Sequence, residues 1–177
     1  MGEIVDDPLL RERTRILSGR HDPGRKLGAF VLSLPSITQP LVLAIPAGGV
    51  PVGKEIAMAL GASLSLAIVR KVRIPGTTES GFGAVAWDGT VLINERLRQV
   101  LGLTEDQVGR AVEETRENVT ERIARYCRGK KMPPVRGKTV ILTDDGLASG
   151  FTMLATIRSV RDLGPSNLIV AVPTASL

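Results

Sequence analysis

Four short apolar runs punctuate the chain. They are Leu41-Val42-Leu43-Ala44-Ile45, residues 64–69, Thr139-Val140-Ile141-Leu142 and Leu168-Ile169-Val170-Ala171-Val172. Each is bounded by turn residues and too short for a buried helix, so each reads as a strand covered on both faces. Helical patterns lie between them. Residues 52–60 form one, closed by Gly61 as a left-handed stop. Residues 41–69 are therefore a strand–helix–strand unit, with parallel strands and a right-handed crossover. Thr104 and Gln107 form a capping box, and Val108, Val112, Thr115, Val119, Ile123 and Tyr126 then follow the helical period to about Arg128. Residues 151–163 make another helix, stopped by Gly164-Pro165. Asp88-Gly89 between two apolar runs signals a hairpin, and residues 70–83, rich in Gly, Thr and Pro, read as a mobile loop.

Strands alternating with helices predict an α/β fold with a mainly parallel sheet. At 177 residues the chain is expected to be a single domain, 1–177, with an Arg-rich N-terminal segment, 1–38, packed on the core. A chain this long can bury roughly 70% of its unfolded surface, so it needs no disulfide or structural metal.

Composition then removes function classes. No apolar run is long enough to cross a bilayer, and Met1-Gly2-Glu3-Ile4-Val5-Asp6-Asp7 is no secretory signal. One cysteine, Cys127, and one histidine, His21, exclude Cys/His zinc sites and any Ser-His-Asp triad not built on His21. His21 reads as a surface residue and Cys127 as half-buried packing. A reducing cytoplasm is the expected location. The net charge of +5 with only 3% aromatics attracts anions but offers few stacking platforms, so nucleic acid is not the expected partner. From Arg122 to Thr143 there are seven Lys/Arg and no acid. That run reads either as a solvated helix end or as a surface for nucleic acid or a phosphorylated molecule.

In open parallel sheets ligands bind beyond the carboxyl ends of the strands. After the third strand come Asp144-Asp145-Gly146-Leu147-Ala148-Ser149-Gly150-Phe151-Thr152. Adjacent carboxylates raise each other's pKa and call for a metal, a cation or ligand hydroxyls. The small residues after them, the hydroxyls of Ser149 and Thr152, and a helix N-terminus make a phosphate cradle. The bland alternative is a strand-end turn with Ser149 as an N-cap. Pro46-Ala47-Gly48-Gly49 ends the first strand, and Arg70-Lys71-Val72-Arg73 ends the second.

The stretch 140–152 resembles the phosphoribosyl-pyrophosphate (PRPP) signature of type I phosphoribosyltransferases: an apolar strand, two acids, four spacers, then Thr-Gly-x-Thr, with Ser149 replacing the first Thr. The resemblance covers about residues 10–177. It is nearest to a stand-alone bacterial and archaeal branch that opens with an Arg-rich segment, here ending in Gly24-Arg25-Lys26-Leu27. It implies a three-layer fold with helices on both sheet faces, plus a hairpin and a flexible loop (residues 74–83) that closes over substrate. It implies Asp144, Asp145 and Lys71 as catalytic residues, and Ala148, Ser149, Gly150, Phe151 and Thr152 as the 5′-phosphate loop. Pyrophosphate falls to Pro46, Ala47, Gly48, Gly49, Arg70 and Lys71, in a loop the family often reaches through a non-proline cis peptide. Mg²⁺ falls to Asp144 and Asp145, directly or through water. Residues 172–175 lie where the family contacts the acceptor base.

The implied activity is transfer of the 5-phosphoribosyl group from PRPP to a nitrogenous base, a nucleobase by preference, with pyrophosphate released. The implied partners are PRPP, a small-molecule acceptor and a second copy of the chain, with no membrane. Relatives carry Arg where this chain has Ala47, which keeps open a non-catalytic PRPP- or nucleotide-binding regulator. A phosphate-ester or pyrophosphate hydrolase could use the same carboxylates.

Overall fold

The computed structural model describes residues 3–8, 19, 21–77 and 80–175. Four parallel strands, β1 (Leu41–Ala44), β2 (Ser63–Leu66), β6 (Thr139–Thr143) and β7 (Asn167–Ala171), line up in the order β2-β1-β6-β7. Leu41 registers with Ser63 on one side and with Val140 on the other. Every residue of β1 and β6 is buried, as continuous apolar runs require when both faces are covered.

Alternation assigns each side chain to a layer. Val42 and Ile141 face helices α1 (His21–Leu32) and α2 (Gly49–Leu60), packing with Val31, Val52 and Ile56. Leu41, Leu43, Val140 and Leu142 face the other way, onto Met153, Ala155 and Val160 of helix α5 (Phe151–Asp162). The result is the expected three-layer α/β architecture. α2 ends at Gly61, in the left-handed conformation at φ 58°. Of the N-terminal segment, α1 packs on α2, and exposed His21 bonds through Nδ1 to Glu55 Oε1 at 2.8 Å. Most of its Arg-rich part lies outside the described residues, as does Glu79.

The second strand differs from expectation. It leaves the parallel sheet after Leu66, where Ala67 N–H still donates to Ala44 C=O at 2.9 Å. It then continues as β3 (Val69–Arg73) in a separate antiparallel sheet, β3-β4-β5, with β4 (Gly81–Ala86) and β5 (Val91–Ile93). Half of the mobile loop expected at 70–83 is therefore strand. Three cations in β3 hide the buried Val69 and Val72, one on each face, from a hydrophobicity reading. They suit an edge strand, where charge discourages pairing with other chains. The remaining turn is tied by Ile74 N–H to Ser80 C=O at 3.1 Å. The Asp88-Gly89 hairpin forms as expected, and Ser159 Oγ on α5 donates to Asp88 Oδ1 at 2.8 Å.

Helix α3 (Glu95–Val100) was not expected; Asn94 caps it by accepting from Leu97 N–H at 3.0 Å. The predicted capping box opens α4 (Glu105–Cys127), which packs on the antiparallel sheet through Val119, Ile123 and Cys127 against Val72, Phe82 and Val85. No helix among the described residues is long and apolar enough to cross a membrane.

Candidate functional site

Strands β1 and β6 are neighbours, so their carboxyl ends deliver two loops side by side. Ile45 N–H donates to Thr143 C=O at 2.9 Å, extending the pairing by one residue. The chain then turns through Pro46, Ala47 and Gly48, with a cis peptide between Pro46 and Ala47. Gly49 N–H returns to Ile45 C=O at 3.0 Å as α2 begins. Here the loops touch. A Cβ on Gly48 would fall on the Asp145 carboxylate. A Cβ on Gly49 would lie 2.8 Å from both Asp144 Cα and the Thr143 carbonyl oxygen. The Gly-Gly pair thus allows an approach that any side chain would obstruct.

Asp144 is half-buried and Asp145 exposed. Burial pushes the Asp144 carboxyl up to about 6. The neighbouring Asp145 charge adds to this, while the Asp145 N–H donated to Asp144 Oδ1 at 2.8 Å and the positive charge of Lys71 act against it. Lys71 thus reaches the acidic pair electrostatically, from β3 in the other sheet.

The loop after the acids is anchored from β7's side. Leu147 N–H donates to Thr174 C=O at 2.9 Å, and Leu147 bridges to Ala175. Gly150 then adopts φ 73° and serves as the N-cap of α5, with no side-chain cap. Ser149 is therefore not the N-cap that a bland turn would have made it. Leu154 N–H, donating to Gly150 C=O at 2.8 Å, begins the helical bonding. The amides of Phe151, Thr152 and Met153 have no acceptor among the described residues, as at any helix start. Ala148 and Ser149, just before the positive end of α5, are exposed.

Arg70 does not join this group. β3 alternates, so Lys71 shares the face of Val69, toward the parallel sheet, and Arg70 shares the face of Val72, toward α4. The charges that act on Arg70 are those of Arg122 and Arg73. The structure thus brings residues 46–49, 144–152 and Lys71 to one edge and places Arg70 behind it. Thr174, the anchor of the 146–147 turn, carried no local signal beyond its place after the last strand.

Residues 29–176 match the phosphoribosyl transferase domain family. The chain belongs to that family. Its resemblance to the type I phosphoribosyltransferases rests on this match and on named relatives. "Putative phosphoribosyl transferase" of Mycobacterium tuberculosis, from strain CDC 1551 / Oshkosh and from strain ATCC 25618 / H37Rv, is 33% identical over 161 residues, covering 90% of this chain. The chain spans 36% of the length of those curated relatives, so they are not stand-alone proteins of this size. The crystal structure of TT1426 from Thermus thermophilus superposes with TM-score 0.71 at 34% identity, over 90% of this chain and 75% of that one.

Phosphoribosyltransferases generally work with Mg²⁺, and the donor set here fits it. Asp144 and Asp145 offer hard carboxylate oxygens, and no group of three or more His, Cys, Asp or Glu side chains gathers among the described residues. Mg²⁺ characteristically takes one or two carboxylates and completes its shell with waters and substrate oxygens.

Proposed function

We propose that this chain transfers the 5-phosphoribosyl group of PRPP to a nitrogenous base, a nucleobase by preference. The observation that carries the proposal is the contact between the Gly48-Gly49 loop and the Asp144-Asp145 turn, with Lys71 facing the acids and an uncommitted donor loop at 148–152. The spacing suits one ligand bearing a phosphate at one end, vicinal hydroxyls in the middle and pyrophosphate at the other.

In this reading Ala148, Ser149, Gly150, Phe151 and Thr152 hold the 5′-phosphate. Asp144 and Asp145 accept hydrogen bonds from the ribose hydroxyls. Pro46, Ala47, Gly48, Gly49 and Lys71 take the pyrophosphate, while Arg70, facing α4, is left out. The C1′–oxygen bond to pyrophosphate breaks, a nitrogen–C1′ bond forms, and the base loses its proton to solvent. Negative charge grows on the departing pyrophosphate and positive charge on the ribose ring. Lys71 stabilises the first and the two carboxylates the second, from fixed positions. Mg²⁺ held by the carboxylates, directly or through water, would add charge neutralisation at the pyrophosphate. A cytoplasmic homodimer completes the proposal.

A PRPP-binding regulator is the second reading. Exposed Ala47 favours it, because it puts a methyl group where the resemblance implies a cation. Incubation with Mg²⁺, PRPP and a panel of bases separates the two. Base-dependent pyrophosphate release supports the transferase, binding without release the regulator, and release without base a hydrolase. Asp145→Asn is expected to weaken PRPP binding about tenfold with the fold intact. Unchanged binding would remove Asp145 from the site.

A further inference from the structure

A groove of about 530 Å³ runs between the Asp88-Gly89 hairpin and α4, and none of residues 46–49 or 144–152 lines it. Val85, Ala86 and Trp87 line it from the end of β4, and Glu113, Glu117 and Glu121 from α4. Trp87 is half-buried, and the three glutamates are exposed. Four residues apart, they stand one above another on the helix. Arg116, in the same wall, takes Glu113 at 3.8 Å. Glu117 and Glu121 form no ion pair among the described residues.

The same stripe changes sign farther on. Arg125 follows Glu121 by four residues and Arg128, the C-cap of α4, follows it by seven, so both continue the stripe. Both are exposed, and neither forms an ion pair among the described residues. Lys130 and Lys131 come next, and no acid lies between Glu121 and Asp144. A stripe with an acidic half and a basic half is complementary to its own antiparallel copy. A two-fold axis at the level of Ile123 sets Glu121 against Arg125 of the partner subunit and Glu117 against Arg128 of the partner subunit, and symmetry repeats both contacts. The lysines that follow then reach the groove, where the Trp87 indole can hold a cation and the methylenes that carry it. A merely basic partner would satisfy one half of the stripe; a second copy satisfies both.

We propose that the groove and the charged stripe of α4 form an interface between two copies of this chain, each seating the basic end of the other's α4 beside its own Trp87. This names the surface of the homodimer put forward above, and it rests on that part of the reading alone, not on phosphoribosyl transfer.

Sedimentation velocity of the full chain at increasing concentration tests it, with Trp87, the one tryptophan of the sequence, as reporter in the groove. A dimer is expected at about 0.15 M salt that loosens about tenfold or more at about 1 M, with Trp87 emission changing over the same protein concentrations. Glu117→Lys/Glu121→Lys and Arg125→Glu/Arg128→Glu should each weaken self-association about a hundredfold, because every reversal acts twice across the two-fold. Glu117→Gln/Glu121→Gln, nearly unchanged in shape, should lose about tenfold. Mixed in equal amounts, the two reversed variants should dimerise again, since each presents what the other lacks; that rescue excludes misfolding as the cause of either loss. PRPP affinity should be unchanged in all of them, which separates failure here from failure of the transferase reading. Three results would overturn the interface: a wild-type chain that stays monomeric, a dimer that the charge variants retain, or no rescue in the mixture. Trp87 emission that responds to a synthetic arginine-rich peptide but not to protein concentration would give the groove to another basic partner and overturn the second copy.

Discussion

Gly48 and Gly49 are adjacent and chemically identical, yet alanine at each should fail differently. Gly48 sits at φ −63°, ψ −41°, which any residue adopts. The atoms nearest its new Cβ all belong to the Asp145 side chain, which is exposed and can swing into solvent. Gly48→Ala should therefore cost under about 1 kcal/mol of stability, while driving the Asp145 carboxylate from its place beside the loop. Gly49 is buried, and its new Cβ would stand 2.8 Å from the Asp144 Cα and the Thr143 carbonyl oxygen. Neither atom can move without shifting β6 in the centre of the sheet. Overpacking of that kind costs about 1–3 kcal/mol. For a chain of this size 1 kcal/mol moves Tm by about 2–4 °C, so Gly49→Ala should melt roughly 4–8 °C lower for 2 kcal/mol, and Gly48→Ala near wild type. Differential scanning calorimetry gives the first comparison and titration calorimetry with PRPP and Mg²⁺ the second. The transferase reading adds that Gly48→Ala loses PRPP affinity despite its intact fold. Equal melting losses in the two variants would refute the assignment of Gly48 to a side-chain contact and Gly49 to a backbone contact. A stable Gly48→Ala that binds PRPP as well as wild type would refute the functional part alone.

Three further outcomes follow from the same contacts. The Asp144 carboxyl is raised from 3.8 to about 6 by burial, so the folded state binds more protons than the unfolded one between those values. The ligand-free protein should lose stability as pH rises from about 4 to about 6, and urea titrations should show Asp144→Asn flattening that slope. Thr143 Oγ1 is fully buried without a hydrogen-bond partner among the described residues, so Thr143→Val should stabilise by about 1 kcal/mol; a destabilised variant in chemical denaturation would mean the hydroxyl is bonded in solution. Ser159→Ala removes the bond to Asp88 that ties the hairpin turn to α5, and should cost about 1 kcal/mol and speed amide exchange at residues 86–90.

The central strands and the acidic turn were legible because their signals are local. A buried parallel strand is a short apolar run, and β1 and β6 are that. A capping box is two residues three apart, and Thr104 accepts from Gln107 N–H while Gln107 Oε1 accepts from Thr104 N–H. What escaped was set by contacts distant in sequence. Nothing within residues 46–49 says that Gly48 abuts the carboxylate of Asp145, far along the chain. Helix α3 is short and has no buried residue, so it lacks the apolar period that betrays a helix.

The cations of β3 show how a residue type can be read correctly and its role misassigned. Arg70 and Lys71 both lie near the ligand edge, and as a strand terminus they would form one basic group. As a strand interior they are divided by the pleat, one to each face. Lys71 then shares a face with Val69 and acts on Asp144, while Arg70 faces α4 and the charge of Arg122 on the other side. The division follows from covering both faces of a single strand. The parallel sheet and α5 take one side and α4 the other, so a charge on either face has its own set of neighbours. Substitutions at Arg70 and Lys71 are therefore not interchangeable tests of a single anion site. Loss of Lys71 removes the cation facing the acidic pair, whereas loss of Arg70 relieves a repulsion with Arg122.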